Sequence, residues 1–359
     1  MRRVISMNKH KKAVSDVQLY EEMPKIEQLP KGADYFDFTG MMVMGESQGN
    51  DLCLVLIVWR VGGGKKGKWM VDEAPILQTS FMMQPHDKWG KLEETVFIGN
   101  RQDPREWENT DFHLIEESDK VTWKVGDREF INRPPYWEYK GEHMDVGCSL
   151  TLGGLGNATR IYGAWADLPK KMSGGFEQHC WVEGSITVKG KQYVLENGYG
   201  IHDRIVFGEH WDHQKNMAVP YSYLWGMNDD LQIYLWNHPG IGMRFCRVFI
   251  EDKEITFTQG EISMYELEWW DDGMTGMRVP VRWHASISSA AGVLDIDISA
   301  GARGMYCVNT DGGSTLRYIY ILHTNGRFMF PDGRSVNIKN MRTYKEWGRS
   351  TMPLPSGAL

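Results

Sequence analysis

A chain of 359 residues exceeds what one hydrophobic core ordinarily serves, so two domains of about 150 residues each are expected. Hydrophobic residues at 42% and charged residues at 24% are ordinary globular values and exclude wholesale disorder. A net charge of -7 with no long basic stripe excludes nucleic acid as a partner, and the longest apolar run, Leu52 to Trp59, is too short to span a bilayer.

Residues 1–30 are polar and basic, with Pro24 and Pro30 near their end, and read as a flexible arm holding one helical turn. Strand signals dominate from there on. The run DLCLVLIVWRV (51–61) is dense in β-branched and aliphatic residues; a Gly-Lys turn breaks it before KWMVDEAPILQTSFMM resumes. Shorter strand-like pieces follow about every ten residues: 92–99, 112–118, 121–125, 144–152 and 158–166. The polar stretch LPKKMSGG (168–175) reads as a linker, after which the rhythm restarts and VFIEDKEITFTQ forms a hairpin with Asp252 and Lys253 at its turn. No long segment shows a capped helical period, so helices should be few and short. The expected organisation is an all-β protein of two consecutive antiparallel barrels or sandwiches, 31–175 and 176–350, with a tail over 351–359.

The five cysteines, Cys53, Cys148, Cys180, Cys246 and Cys307, are scattered and odd in number, which fits neither a disulfide framework nor a CxxC metal pair. With no apolar signal core in the first twenty residues, reduced cytoplasm is the expected compartment. The chain carries 15 Trp, 15 Tyr and 21 Met, an enrichment suited to a hydrophobic binding site as well as to core. A homodimer through an exposed edge strand stays open.

The turn GGGKKGKW (62–69) matches a phosphate loop only as far as Lys68, because Trp69 stands where the metal-binding hydroxyl belongs and no helix follows. No nucleophile elbow and no dinucleotide fingerprint occur, so neither a covalent hydrolase nor NAD or FAD chemistry is expected. The segment YGIHDRIVFGEHWDH (199–213) is different in kind: it gathers His202, Asp203, Arg204, Glu209, His210, Asp212 and His213 among Tyr199, Ile201, Phe207 and Trp211. In an extended strand His202 and Arg204 project opposite to Asp203, so one face could carry a carboxylate into apolar surroundings, where burial suits it to proton transfer near neutral pH.

Three readings of this cluster compete. His210-x-x-His213 with Glu209 or Asp212 suggests a metal, but extended backbone splays those imidazoles onto opposite faces, and no metal is expected. Arg204 clamping carboxylates would make a structural ion-pair network. The third is a proton-transfer site with Asp203 as acid or base, His202, His210 or His213 as partner, and Arg204, Glu209 and Asp212 orienting charge. Tyr199, Trp211, Trp225 and Trp236 are expected to wall the ligand site. The isolated His86, His143, His179, His238 and His323 read as satisfied core or surface histidines.

Residues 176–211, FEQHCWVEGSITVKGKQYVLENGYGIHDRIVFGEHW, resemble the junction segment of the two-domain lipocalin-like (calycin) proteins. That group comprises the carotenoid 1,2-hydratases, AttH-like proteins, the kievitone-hydratase type and lipocalin-like Diels-Alderases. The resemblance is carried by Glu177-Gln178, Gly184 to Gly190, Gly198-Tyr199-Gly200, Asp203-Arg204, Gly208 and Trp211. It implies two lipocalin-like β-domains, an apolar pocket, and protonation, hydration, elimination or cyclisation of a hydrophobic substrate without an organic cofactor; a terpenoid, polyketide or aromatic compound is the substrate expected. It also implies that Asp203 protonates the substrate. The usual D-H-x-W-G is replaced here by Asp203-Arg204-Ile205-Val206-Phe207-Gly208, one residue longer and without the Trp beside the aspartate. A non-catalytic carrier or sensor of a hydrophobic ligand is the alternative the same fold supports.

Overall fold

The computed structural model describes residues 12–31, 33, 35–62, 73–101, 112–171, 173–208, 221–238, 243–310 and 313–350. Twelve strands form the first sheet: β1 (Tyr35–Ser47), β2 (Asn50–Gly62), β3 (Glu73–Pro85), β4 (Val96–Arg101), β5 (Phe112–Glu116), β6 (Val121–Val125), β7 (Arg128–Arg133), β8 (Tyr136–His143), β9 (Val146–Gly154), β10 (Ser173–Val188), β11 (Lys191–Val194) and β12 (Glu196–Gly208). Their order is β4-β3-β2-β1-β12-β10-β9-β8-β7-β6-β5, with β11 hairpinned onto β10. A nine-stranded sheet takes β13 (Tyr221–Met227), β14 (Leu231–His238), β15 (Met243–Ile250), β16 (Lys253–Thr258), β17 (Ile262–Asp271), β18 (Arg278–Ser289), β19 (Gly292–Thr310), β20 (Gly313–Met329) and β21 (Ser335–Ser350). Both sheets are antiparallel and curled, so the all-β, two-sheet expectation holds. Among the described residues one short helix, α1 (Leu168–Lys171), and a few 3-10 turns complete the fold.

The chain divides into two compact units, Met1–Phe81 with Ile98–Asp212, and Met82–Phe97 with His213–Leu359. The seam read at 168–175 is instead inside the first unit. Gly174 and Gly175 look like linker residues, yet each is there for close approach. A Cβ on Gly175 (φ +137) would stand 2.3 Å from the Arg204 carbonyl, and one on Gly174 3.2 Å from the Trp165 ring. Residues 158–166, read as a strand, form turns that lead into the 3-10 segment Trp165–Asp167, with Tyr162 and Trp165 buried. Their apolar spacing mimics strand alternation but serves to cover a strand pair. Leu92–Glu94 is likewise a 3-10 turn ahead of β4. The β15–β16 hairpin turns on Glu251 and Asp252, both at positive φ, one residue earlier than expected. The Gly-Lys turn lies outside the described residues.

Residues 12–29 are docked rather than a free arm: Ala13, Val17, Glu21, Glu22, Lys25 and Leu29 are all buried. Val14 bridges to Leu155, and Arg160 holds this segment through Asp16 (2.7 Å) and Glu21 (3.1 Å). Polar composition suggested mobility, but the polar groups are spent on buried partners, as the site below shows.

Candidate functional site

β12 runs between β1 and β10, and its alternation sorts the polar cluster onto two faces. Asp203 lies directly across from Glu177 of β10 and from Gly40 of β1. Directly opposed residues of an antiparallel pair share a face with Cβ atoms about 4.5–5.5 Å apart, so Asp203 and Glu177 form a carboxylate pair. On the other flank Gly40 brings no side chain, and a Cβ there would meet the Leu56 carbonyl at 2.6 Å. Both acids are buried, Glu177 at 2% and Asp203 at 7% exposure. Glu177 Oε1 accepts a hydrogen bond from the Tyr162 hydroxyl at 3.0 Å, and Tyr162 packs edge-on against Phe207. Ile201 and Ile205, both buried, flank Asp203 along its own strand. His179, two residues beyond Glu177, and Tyr199, four before Asp203, share this face.

The opposite, core-facing side of β12 holds His202 and Arg204. His202 is fully buried, stacks on Trp137 (4.8 Å) and faces the Glu22 carboxylate through Nε2 at 3.1 Å. Its Nδ1 lies 2.5 Å from the Tyr139 hydroxyl, which also donates to the Gly40 carbonyl at 2.9 Å. Trp137 Nε1 donates to Glu22 Oε1 at 2.7 Å, and Trp123 Nε1 to the Glu22 carbonyl at 3.0 Å. Burial, reinforced by the Glu22 charge, pushes the Tyr139 phenol well above its ordinary pKa, so it acts as a hydrogen-bonding group.

Arg204 pairs with Asp37 at 2.5 Å and donates to the carbonyls of Phe38 (3.0 Å) and Met23 (2.7 Å). The rings of Trp123 and Trp165 lie 4.8 and 5.4 Å from its guanidinium. Lys25 donates its backbone N–H to Asp37 Oδ2 at 3.1 Å; burial, then the Arg204 charge, pull its ammonium down to about 8. The structure therefore separates two residues that the sequence reading joined to Asp203. His202 is partnered by Glu22 and Tyr139 on the other face, and the carboxylate that Arg204 clamps is Asp37.

In the second unit Trp225 and Trp236 do share a surface. Tyr221, Tyr223, Trp225, Tyr234, Trp236 and Tyr344 lie on one face of β13, β14 and β21. Trp225 stacks on Tyr344 (5.6 Å), Trp236 on Tyr221 (5.7 Å), and Trp236 Nε1 donates to the Tyr234 hydroxyl at 2.8 Å. At their centre Glu346 accepts hydroxyl hydrogen bonds from Tyr221 and Tyr344, each 2.8 Å. His238 stacks on Tyr221, and burial, with the Arg317 charge adding, brings it down to about 4. Glu209, His210, Trp211, Asp212 and His213 lie outside the described residues. Among those described, no three His, Cys, Asp or Glu side chains are grouped to hold a metal ion, and no helix is long and apolar enough to cross a membrane.

No protein-family model matches the sequence, and no curated protein sequence does. Solved structures do match in shape. An AttH-type protein from Nitrosomonas europaea superposes with a TM-score of 0.57 at 14% identity, over 94% of this chain and 99% of that one. Kievitone hydratase from Nectria haematococca gives 0.54 at 11% identity, over 94% and 93%. CghA, solved with Sch210972, gives 0.55 at 9% identity, over 89% of each chain. The fold is that of AttH-type proteins and kievitone hydratase. The AttH-type neighbours are those the junction segment 176–211 resembles, and the likeness spans both sheets. At these identities the shared fold does not carry a reaction with it.

Sequence reasoning missed Glu22, Asp37, Tyr139 and Tyr162, and it set His179 aside as a core residue. Glu177 was visible as part of the Glu-Gln pair but had no role. The signal that ties it to Asp203 is the register of β10 on β12, which composition does not reveal.

Proposed function

We propose that the chain is an enzyme of the hydratase or cyclase type that acts, without an organic cofactor, by acid–base chemistry on a hydrophobic terpenoid, polyketide or aromatic small molecule. The observation that carries this reading is the buried Asp203–Glu177 pair. Two carboxyl groups at directly opposed positions of one buried face ionise together only at a cost, and in this mechanism they share one proton. Asp203 gives that proton to an alkene carbon of the substrate. Glu177, oriented by Tyr162, takes a proton from the attacking water in a hydration or from the neighbouring carbon in a cyclisation. Tyr199 contacts the substrate on the same face. His210 and His213 serve as proton partners and Glu209 and Asp212 tune their charge, with Trp211 against the ligand. A solved neighbour of the same fold is named kievitone hydratase, so a hydration is compatible with this fold.

Incubation with a panel of prenylated aromatics and polyenes in heavy-oxygen water tests the reading. A hydratase places the heavy oxygen in its product, and a cyclase run in heavy water places one deuterium on carbon. If bound ligands emerge chemically unchanged and unlabelled, the protein is a carrier and the enzyme reading falls.

A further inference from the structure

Inside the second unit one buried cationic side chain, Lys345, has neither a hydrogen-bonding nor an ion-pair partner among the described residues. β21 alternates so that Thr343, Lys345 and Trp347 enter the core while Tyr344 and Glu346 face the aromatic surface. Lys345 is 0% exposed, and its Nζ makes no hydrogen bond and no ion pair among the described residues. The neighbouring buried cation Arg303, by contrast, has Asp272 at 3.0 Å. Lys345 lies opposite Leu224 of β13 and Tyr320 of β20, and its Nζ sits 4.8 Å from the centre of the Trp283 ring.

Two more polar groups here are unspent. The Tyr320 hydroxyl and the Trp283 indole N–H are fully buried and unpartnered among the described residues, and the two rings pack edge to face at 5.4 Å. Native cores rarely leave one such group unsatisfied, and here three belong to side chains packed against one another, a set that an oxygen-bearing guest would satisfy. Burial draws the Lys345 amine down to about 7, against smaller upward pulls from Glu266 and Glu346. About half of it is therefore free base at neutral pH, whereas an ordinary lysine is almost wholly protonated there.

We propose that Lys345 is the nucleophile of a second ligand site, separate from the carboxylate pair, which captures an apolar aldehyde or ketone as an imine with Tyr320 receiving the carbonyl oxygen. The Nζ lone pair attacks the carbonyl carbon, a C–N bond forms, and the carbonyl π electrons move to oxygen, which takes one amine proton to give a carbinolamine. The second amine proton leaves with that hydroxyl as water, and the C=N bond forms. Electrons and atoms balance without an oxidant or reductant. The Tyr320 hydroxyl donates a hydrogen bond to the oxygen throughout, and Trp283 Nε1 offers a second.

The full chain is treated with octanal and cyanoborohydride at pH 7, and reduced adducts are mapped by peptide mass spectrometry. Lys345 is expected to label at least about tenfold faster than surface lysines, given its far larger free-base fraction. Y320F should slow that labelling severalfold, and K345M should remove it while raising the melting temperature. Titration gives an independent readout. The unfolded chain holds the Lys345 proton up to about 10.4 and the folded chain only to about 7, so stability rises with pH across that window, and K345M removes its share of the rise. Labelling of Lys345 no faster than the surface lysines, or a pH profile that K345M leaves unchanged, overturns the proposal.

Discussion

Replacing Arg204 with methionine is expected to destabilise the folded chain by about 3–5 kcal/mol, the usual consequence of stripping one partner from a buried ion pair. The guanidinium is 0% exposed and is the charge partner of Asp37. It also supplies the donors to the Phe38 and Met23 carbonyls, so its loss orphans an acid and two carbonyls together. For a unit of this size the melting temperature should fall by roughly 10 °C, read by circular dichroism or calorimetry. The double variant Arg204→Met with Asp37→Leu should recover much of that loss, because it removes the stranded charge as well. Protease should also cut within residues 12–29 of the single variant far sooner than in the parent. A single variant that melts within about 2 °C of the parent would show that the clasp does not secure the N-terminal segment.

Asp203→Asn should lower turnover by about 10²–10⁴-fold, the range of general acid–base contributions, with little change or a slight gain in melting temperature. The same is expected of Glu177→Gln, and the double variant should be little worse than the poorer single, since two groups sharing one proton act as a unit. The substrate is the one found by the isotope experiment. An Asp203→Asn enzyme within threefold of the parent would remove the carboxylate pair from the mechanism. His202→Gln provides the contrast: it should lower stability through Glu22 and leave the pH profile of turnover alone, because His202 lies on the other face.

Strand existence was legible because alternation and turn chemistry are local. Residues 121–125 read as a strand and are β6, and the opposed orientation of His202 and Asp203 follows from extended backbone alone. What failed to show depends on register or on distant packing. Glu177 meets Asp203 only because β10 is set against β12 in one register; a shift by one residue would put Gln178 there instead. The Gly174-Gly175 pair has the same composition whether it is a hinge or a site of close approach, and only the Arg204 carbonyl beside it decides. The N-terminal residues read as mobile because their charges had no local partner. Those partners, Trp137, His202 and Arg160, come from far along the chain.

Glu22 and His202 are 180 positions apart, and β1 is paired along nearly its whole length with β12. During synthesis, therefore, the N-terminal segment and one edge of β1 leave the ribosome long before the strand that completes them. Until residue 208 has emerged, Asp37 lacks the Arg204 guanidinium and Glu22 lacks the His202 ring, and the first sheet stays open beside β1. A nascent chain halted anywhere short of β12 would present β1 as an unpaired, largely apolar edge, which makes that interval the one in which a chaperone has most to protect.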